Sequence, residues 1–117
     1  MRTLKLNNIT NIGDKLVQWV KACKMEQVKV GQLFGFSHDG KKILLANQKG
    51  KIYATDLICT HADADLSTGF LTDEGVRCPL HLSVFNLQNG KPQNLPAEIP
   101  LQTYNVKIEQ NEIYVEI

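Results

Sequence analysis

The chain has 117 residues, 43% of them hydrophobic, and a formal net charge of +1, which fits one compact domain with a small core and leaves no room for a second. No basic stripe marks a nucleic-acid footprint. The longest apolar run, Ile43-Leu44-Leu45-Ala46, is far too short to span a bilayer.

The start, Met1-Arg2-Thr3-Leu4-Lys5-Leu6-Asn7-Asn8, lacks the apolar stretch of a secretory signal, so a cytoplasmic location is expected. Residues 1–18 read as an extension tied to the domain that follows. Asn7-Asn8 and Asn11 through Asp14 are turn-like. Ile12, Leu16, Trp19 and Val20 fit one face of a short helix, while Lys15 to Cys23 equally fit an edge strand. Cys23 is one of three cysteines, an odd number that speaks against a disulfide scaffold and for metal or redox chemistry. Far in sequence from the other two, it reads as a small buried apolar side chain.

From there the dominant period is two. Leu33-Phe34-Gly35-Phe36 runs through His38-Asp39-Gly40 into Ile43-Leu44-Leu45-Ala46, and Asp-Gly between apolar runs is a hairpin signal. Gln48-Lys49-Gly50 turns the chain into Ile52-Tyr53-Ala54. Tyr104, Val106 and Ile108, then Ile113, Val115 and Ile117, alternate with polar residues around Gln110-Asn111 and read as a closing antiparallel hairpin. Such short strands predict an all-β fold, a small antiparallel sandwich or barrel. Two regions break the pattern: Ile58 to Phe85, and Pro92 to Pro100, whose three prolines rule out a central strand.

The first of these carries Cys59-Thr60-His61 and Cys78-Pro79-Leu80-His81, separated by a sixteen-residue spacer. Each pair can present a thiolate and an imidazole from one tight loop, a donor set that suits an iron–sulfur cluster or zinc. Pro79 stiffens the second loop, and Gly69 and Gly75 permit tight turns in the excursion between the pairs. Four unrelated structural residues rarely fall into two paired spacings. Zinc modules usually pair Cys with Cys and His with His, whereas each pair here is mixed. A Cys–His nucleophile leaves the second pair without a role. What remains is a mixed two-Cys, two-His pattern, as in a Rieske centre, where two His replace two Cys on one of two irons.

On these residues the chain resembles the Rieske ferredoxins. The likeness spans about Trp19 to Ile117 and includes Gly50-Lys51-Ile52-Tyr53-Ala54, Leu66-Ser67-Thr68-Gly69, Phe85 and Gly90-Lys91. The resemblance implies an incomplete β-barrel-like sandwich over 19–117, with a cluster-binding loop subdomain over about 57–92. It implies one [2Fe–2S] cluster, with Cys59 and Cys78 on the inner iron and His61 and His81 on the outer iron near solvent. Pro92 to Pro100 is the candidate for a proline-rich third loop packing beside the cluster. In Rieske subunits of cytochrome bc complexes a disulfide joins the two cluster loops; Ala64 and Leu80 stand at the matching positions here. Leu82 follows the second His where oxygenase-linked ferredoxins usually have Gly. High-potential relatives carry Ser and Tyr, donors to cluster sulfur, where this chain has Ser83 and Phe85.

The resemblance implies a one-electron carrier between a reductase donor and an oxygenase or other redox acceptor, not an enzyme. Rieske potentials range from about −150 to +300 mV, and without the disulfide the lower part of that range is expected. Leu80, Leu82 and Ala62 are candidates for an apolar rim at a transient redox interface. A small Rieske subunit of a larger oxidoreductase is the alternative, and a structural zinc module the outsider. His38, beside a hairpin turn, reads as a solvated side chain.

Overall fold

The computed structural model describes residues 9–12, 15–80 and 82–117. Within them the chain forms β1 (Ile9–Ile12), β2 (Lys15–Lys24), β3 (Leu33–His38), β4 (Lys41–Gln48), β5 (Lys51–Asp56), β6 (Phe70–Thr72), β7 (Gly75–Arg77), β8 (Val84–Phe85), β9 (Thr103–Tyr104), β10 (Val106–Glu109) and β11 (Glu112–Glu116). Three antiparallel sheets result, with strand orders β1-β2-β11-β10, β3-β4-β5-β9 and β6-β7-β8. The architecture is the expected small, unclosed, all-β sandwich.

Local turn chemistry fixes the hairpins. Asp39-Gly40, Lys49-Gly50 and Gln110-Asn111 all take positive φ at both central residues. That is the backbone a two-residue hairpin loop needs to match the twist of its strands. The resulting registers pair Leu33 with Ala46, Ala46 with Tyr53, and Ile108 with Ile113.

The ambiguous segment from Lys15 to Cys23 is a strand, not a helix, and it is not at an edge. β2 lies between β1 and β11, with Val20 opposite Val115 and Cys23 opposite Ile113. Partners far along the chain decided a segment whose own period did not. Asn11 belongs to β1 rather than to a turn. The turn-like Asn7, Asn8, Gly13 and Asp14 lie outside the described residues.

The apolar run of β4 faces two cores at once. Ile43 and Leu45 pack with Cys23, Val28, Ile52, Ala54, Ile113 and Val115 between the two large sheets. Leu44 and Ala46 point the other way, into a second core with Leu57, Leu66, Val76, Phe85 and Leu101. All four are fully buried, which is why the run is continuous rather than alternating. The first core holds the sandwich together and the second seats the loop subdomain upon it.

Gly75 shows how closely that subdomain is packed. Its φ is +144°, and a Cβ there would collide with the Phe85 carbonyl across the β7–β8 pair. Gly69 likewise has no room for a side chain against the Arg77 carbonyl. Close backbone approach, not turn formation alone, is what these glycines serve. Gly40→Ala, with open space around it, should cost about 1 kcal/mol. Gly75→Ala must push β8 aside and should cost ~3 kcal/mol or more. Urea unfolding midpoints of the two variants check the order; equal losses would contradict this packing.

Candidate metal centre

Two loops of the same construction rise from the second core. After β5, Ile58 bridges to Asp65, and the Cys59 N–H donates to the Ala64 carbonyl at 2.9 Å. Asp65 then accepts from the Ser67 N–H at 2.8 Å, and the chain turns through a short 3-10 helix, Leu66–Thr68. In the β7–β8 hairpin, Arg77 pairs with Val84, and the Cys78 N–H donates to the Ser83 carbonyl at 2.9 Å. Each loop thus begins on its cysteine and closes on the carbonyl of the fifth residue beyond.

Both cysteines point down into apolar surroundings. Cys59 is 3% and Cys78 1% exposed, in the core that also holds Leu44, Leu66, Val76 and Phe85. Their thiols lie within hydrogen-bonding reach of one another. Burial pushes the Cys59 thiol up, and the neighbouring Cys78 adds to the rise, while the backbone N–H groups of His61 and Ala62 act on its sulfur in the opposite sense. A lone thiolate is disfavoured here, but two N–H donors already face the sulfur, and a bound cation would reverse the balance. Two adjacent buried thiols are a soft donor pair that suits iron–sulfur or zinc chemistry.

His61 is exposed at the tip of the first loop. His81 lies outside the described residues. Among the described residues no three His, Cys, Asp or Glu side chains gather as a metal-binding group. A Rieske centre gives each iron only two protein ligands, and two adjacent cysteines match the number that one iron takes.

The proline-rich segment packs against both loops. Pro92 bridges to Phe85, and the Gln93 N–H donates to the Val84 carbonyl at 2.7 Å. The Ala97 N–H donates to Ser83 Oγ at 2.9 Å, and Thr60 Oγ1 donates to the Ile99 carbonyl at 2.6 Å. Ser83 and Phe85 are both fully buried, Phe85 in the same core as the two cysteines. Around the tips, Leu80, Leu82, Leu95 and Ile99 are each 63–70% exposed, and Ala62 is half-buried. Of the expected rim residues Leu80 and Leu82 are exposed and Ala62 only partly so; Leu95 and Ile99 add exposed apolar surface from the third loop.

Sequence reasoning missed Thr60 and Asn94, whose partners lie on other loops; Asn94 bonds the Leu82 carbonyl and the Val84 N–H. Their only signal is a polar side chain in each of two loops destined to meet. Cys23 sits in the sandwich core, 8% exposed, its thiol pushed up by burial. His38 closes β3, half-exposed, with Nε2 3.4 Å from the Asp39 carboxylate.

The Rieske [2Fe-2S] domain family matches residues 18–105. The ferredoxin component of the naphthalene 1,2-dioxygenase system of Pseudomonas putida is 35% identical over 101 residues, covering 86% of this chain and 97% of the relative. The ferredoxin of carbazole 1,9a-dioxygenase from Nocardioides aromaticivorans IC177 superposes with a TM-score of 0.78 at 31% identity, covering 83% of this chain and 95% of that one. A ferredoxin-sized chain in a complex of reduced oxygenase and oxidized ferredoxin of carbazole 1,9a-dioxygenase also superposes at 0.78 and 31%, over 83% and 91% of the two chains. The fold and the paired loops define a small iron–sulfur protein of the Rieske class. The chain belongs to the Rieske [2Fe–2S] domain family, and the Pseudomonas putida and Nocardioides aromaticivorans relatives are named as ferredoxins.

The paired thiols have a direct chemical consequence. Mild oxidation of metal-free protein should link Cys59 to Cys78 and leave Cys23 as the one reactive thiol after denaturation. Peptide mapping by mass spectrometry checks this; a Cys23 disulfide as the main product would contradict the geometry.

Proposed function

We propose that the chain carries one electron at a time on a Rieske [2Fe–2S] cluster, from a reductase to an oxygenase. Cys59 and Cys78 would hold the inner iron, and His61 and His81 the outer. The observation that carries this reading is the pair of buried thiols on twin loops, beneath a first-loop tip that exposes His61. When bound, the cluster supplies a reversible one-electron centre, and two neutral imidazoles in place of thiolates ease its reduction. The family match over 18–105 and the dioxygenase ferredoxins among its relatives support the assignment.

The protein's own residues have three tasks. Leu44, Leu66, Val76 and Phe85 keep water from the sulfurs. The backbone N–H groups of His61 and Ala62 favour the charged sulfur of Cys59. Leu80, Leu82, Leu95 and Ile99 form an apolar collar around the exposed tip, of the kind a brief electron-transfer encounter uses. We further propose that 1–18 is an extension and 19–117 the cluster-carrying domain, with binding loops about 57–92. A cytoplasmic location belongs to the same proposal, supported by three unpaired cysteines. No helix among the described residues is long and apolar enough to cross a membrane.

Purified protein should be coloured, contain iron and acid-labile sulfide in equal amounts, and become EPR-active on reduction. Cys59→Ser and Cys78→Ser should each lose the cluster, and Cys23→Ser should keep it. Stoichiometric zinc without sulfide, in protein made under iron-replete conditions, would sink the assignment.

Leu80→Ser and Leu82→Ser should leave the potential and iron content unchanged and slow electron delivery to a dioxygenase by about tenfold, the equivalent of losing ~1.4 kcal/mol of encounter stability. Stopped-flow reoxidation of the reduced protein checks this; unaltered rates in both variants would remove the collar from the interface.

A further inference from the structure

The second ligand loop is held from outside by one side chain. Asn94, in the proline-rich loop, donates from Nδ2 to the Leu82 carbonyl and accepts at Oδ1 from the Val84 N–H, both at 2.8 Å. Its amide thereby pairs with the backbone on either side of Ser83, as a neighbouring strand would. Further polar contacts hold the same segment, from within its own loop and from the third loop. The Ser83 carbonyl takes the Cys78 N–H, the Val84 carbonyl takes the Gln93 N–H, and Ser83 Oγ takes the Ala97 N–H.

The side chain enclosed by this clamp is the fully buried Ser83. A serine oxygen that accepts an N–H still has its own proton to donate. With one lone pair tied to Ala97, rotation about the Cβ–Oγ bond is restricted, and the direction of that proton is set by where the third loop sits. Ser83 closes the loop that begins on Cys78, and both are buried; donors near an iron–sulfur centre tune it through distance and angle, so a clamp on the backbone of a donor there would reach the potential without touching the cluster.

We propose that Asn94 is a positioning residue that tunes the reduction potential by aiming the Ser83 hydroxyl. The inference rests on the cluster assignment above. Asn94 is itself exposed, so its amide is not needed to fill the core, and Asn94→Ala should fold and retain cluster. A hydroxyl aimed at cluster sulfur stabilises the reduced form, whose sulfurs are more negative. Misaiming it should weaken electron affinity, lowering the potential.

The test is a double-mutant cycle in the potential of the holoprotein, from wild type, Asn94→Ala, Ser83→Ala and the double variant. Asn94→Ala should weaken electron affinity by about threefold, a fall of ~28 mV at 59 mV per tenfold for one electron. In the Ser83→Ala background the same change should have no further effect. Gln93→Ala, which removes only a bond from Gln93 Nε2 to the Lys91 carbonyl within the third loop, should leave the potential at the wild-type value. Iron content and reduced-state EPR g values verify ligation in every variant. If Asn94→Ala loses cluster, Asn94→Gln, which keeps both amide groups on a longer stem, takes its place in the cycle with the same expectation. An Asn94 effect of equal size with and without the Ser83 hydroxyl would overturn the proposal, as would an unchanged potential in a cluster-bearing Asn94 variant. A wild-type protein without iron and sulfide would instead defeat the cluster assignment, an outcome distinct from either.

Discussion

β4 is buried on both faces, and much of the molecule follows from that. Its side chains alternate between two cores, Ile43 and Leu45 into the sandwich and Leu44 and Ala46 into the base of the loop subdomain. The burial of four such side chains stabilises the fold by roughly 1.5–3 kcal/mol for each large one. The same strand therefore couples the scaffold to the site. A displacement of Leu44 is felt by Cys59 and Cys78, which share its core, and tight packing transmits rather than absorbs such shifts. The loops are irregular, yet they stand on a strand whose residues 43–47 are all buried.

Apolar contact alone does not aim a loop. Here the aiming is done by backbone bonds that repeat from one loop to the other: Cys59 N–H to Ala64 and Cys78 N–H to Ser83. Each closes a six-residue tip, residues 59–64 and 78–83, with its cysteine at the foot. The third loop ties the two tips to one body, through Thr60 to Ile99 on one side and Ala97 to Ser83 on the other. Loops that pair most of their polar groups can be as fixed as strands, and sites built on fixed elements hold their geometry better than sites on free ones.

How much of this the sequence reveals depends on how local the cause is. Asp39-Gly40 and Lys49-Gly50 announce their hairpins because positive φ is a property of two residues and their immediate neighbours. The two cysteines are legible as a pair for a different reason, since two close Cys–His spacings among so few such residues are improbable by chance. Lys15 to Cys23 is not legible, because its apolar positions suit either period until β11 arrives from the far end of the chain. The close approach at Gly75 and Gly69 is hidden in the same way: what excludes a Cβ is a carbonyl from another strand. Asn94 is the extreme case. Its place in the proline-rich segment is legible, but its partners exist only once residues 82–84 lie beside it.

Charge is arranged with the same economy as burial. The lysine–carboxylate pairs, Lys21 with Glu112, Lys49 with Asp73 and Lys107 with Glu109, join residues on β2 and β11, around the β4–β5 and β6–β7 turns, and on β10, none of them on the three site loops. Exposed pairs of this kind contribute little to stability. At the site the exposed surface combines Leu80, Leu82, Leu95 and Ile99 with the carboxylates of Asp63 and Glu98. A charged rim speeds encounter through long-range steering, but that gain falls with ionic strength. An apolar rim gives up the steering and binds by desolvation, over an area too small for a lasting complex. With carboxylates beside leucines, the site loops offer some steering together with a small area for desolvation, which suits an encounter that must be brief. With a net charge of only +1, such steering comes from the local charges rather than from the molecule as a whole.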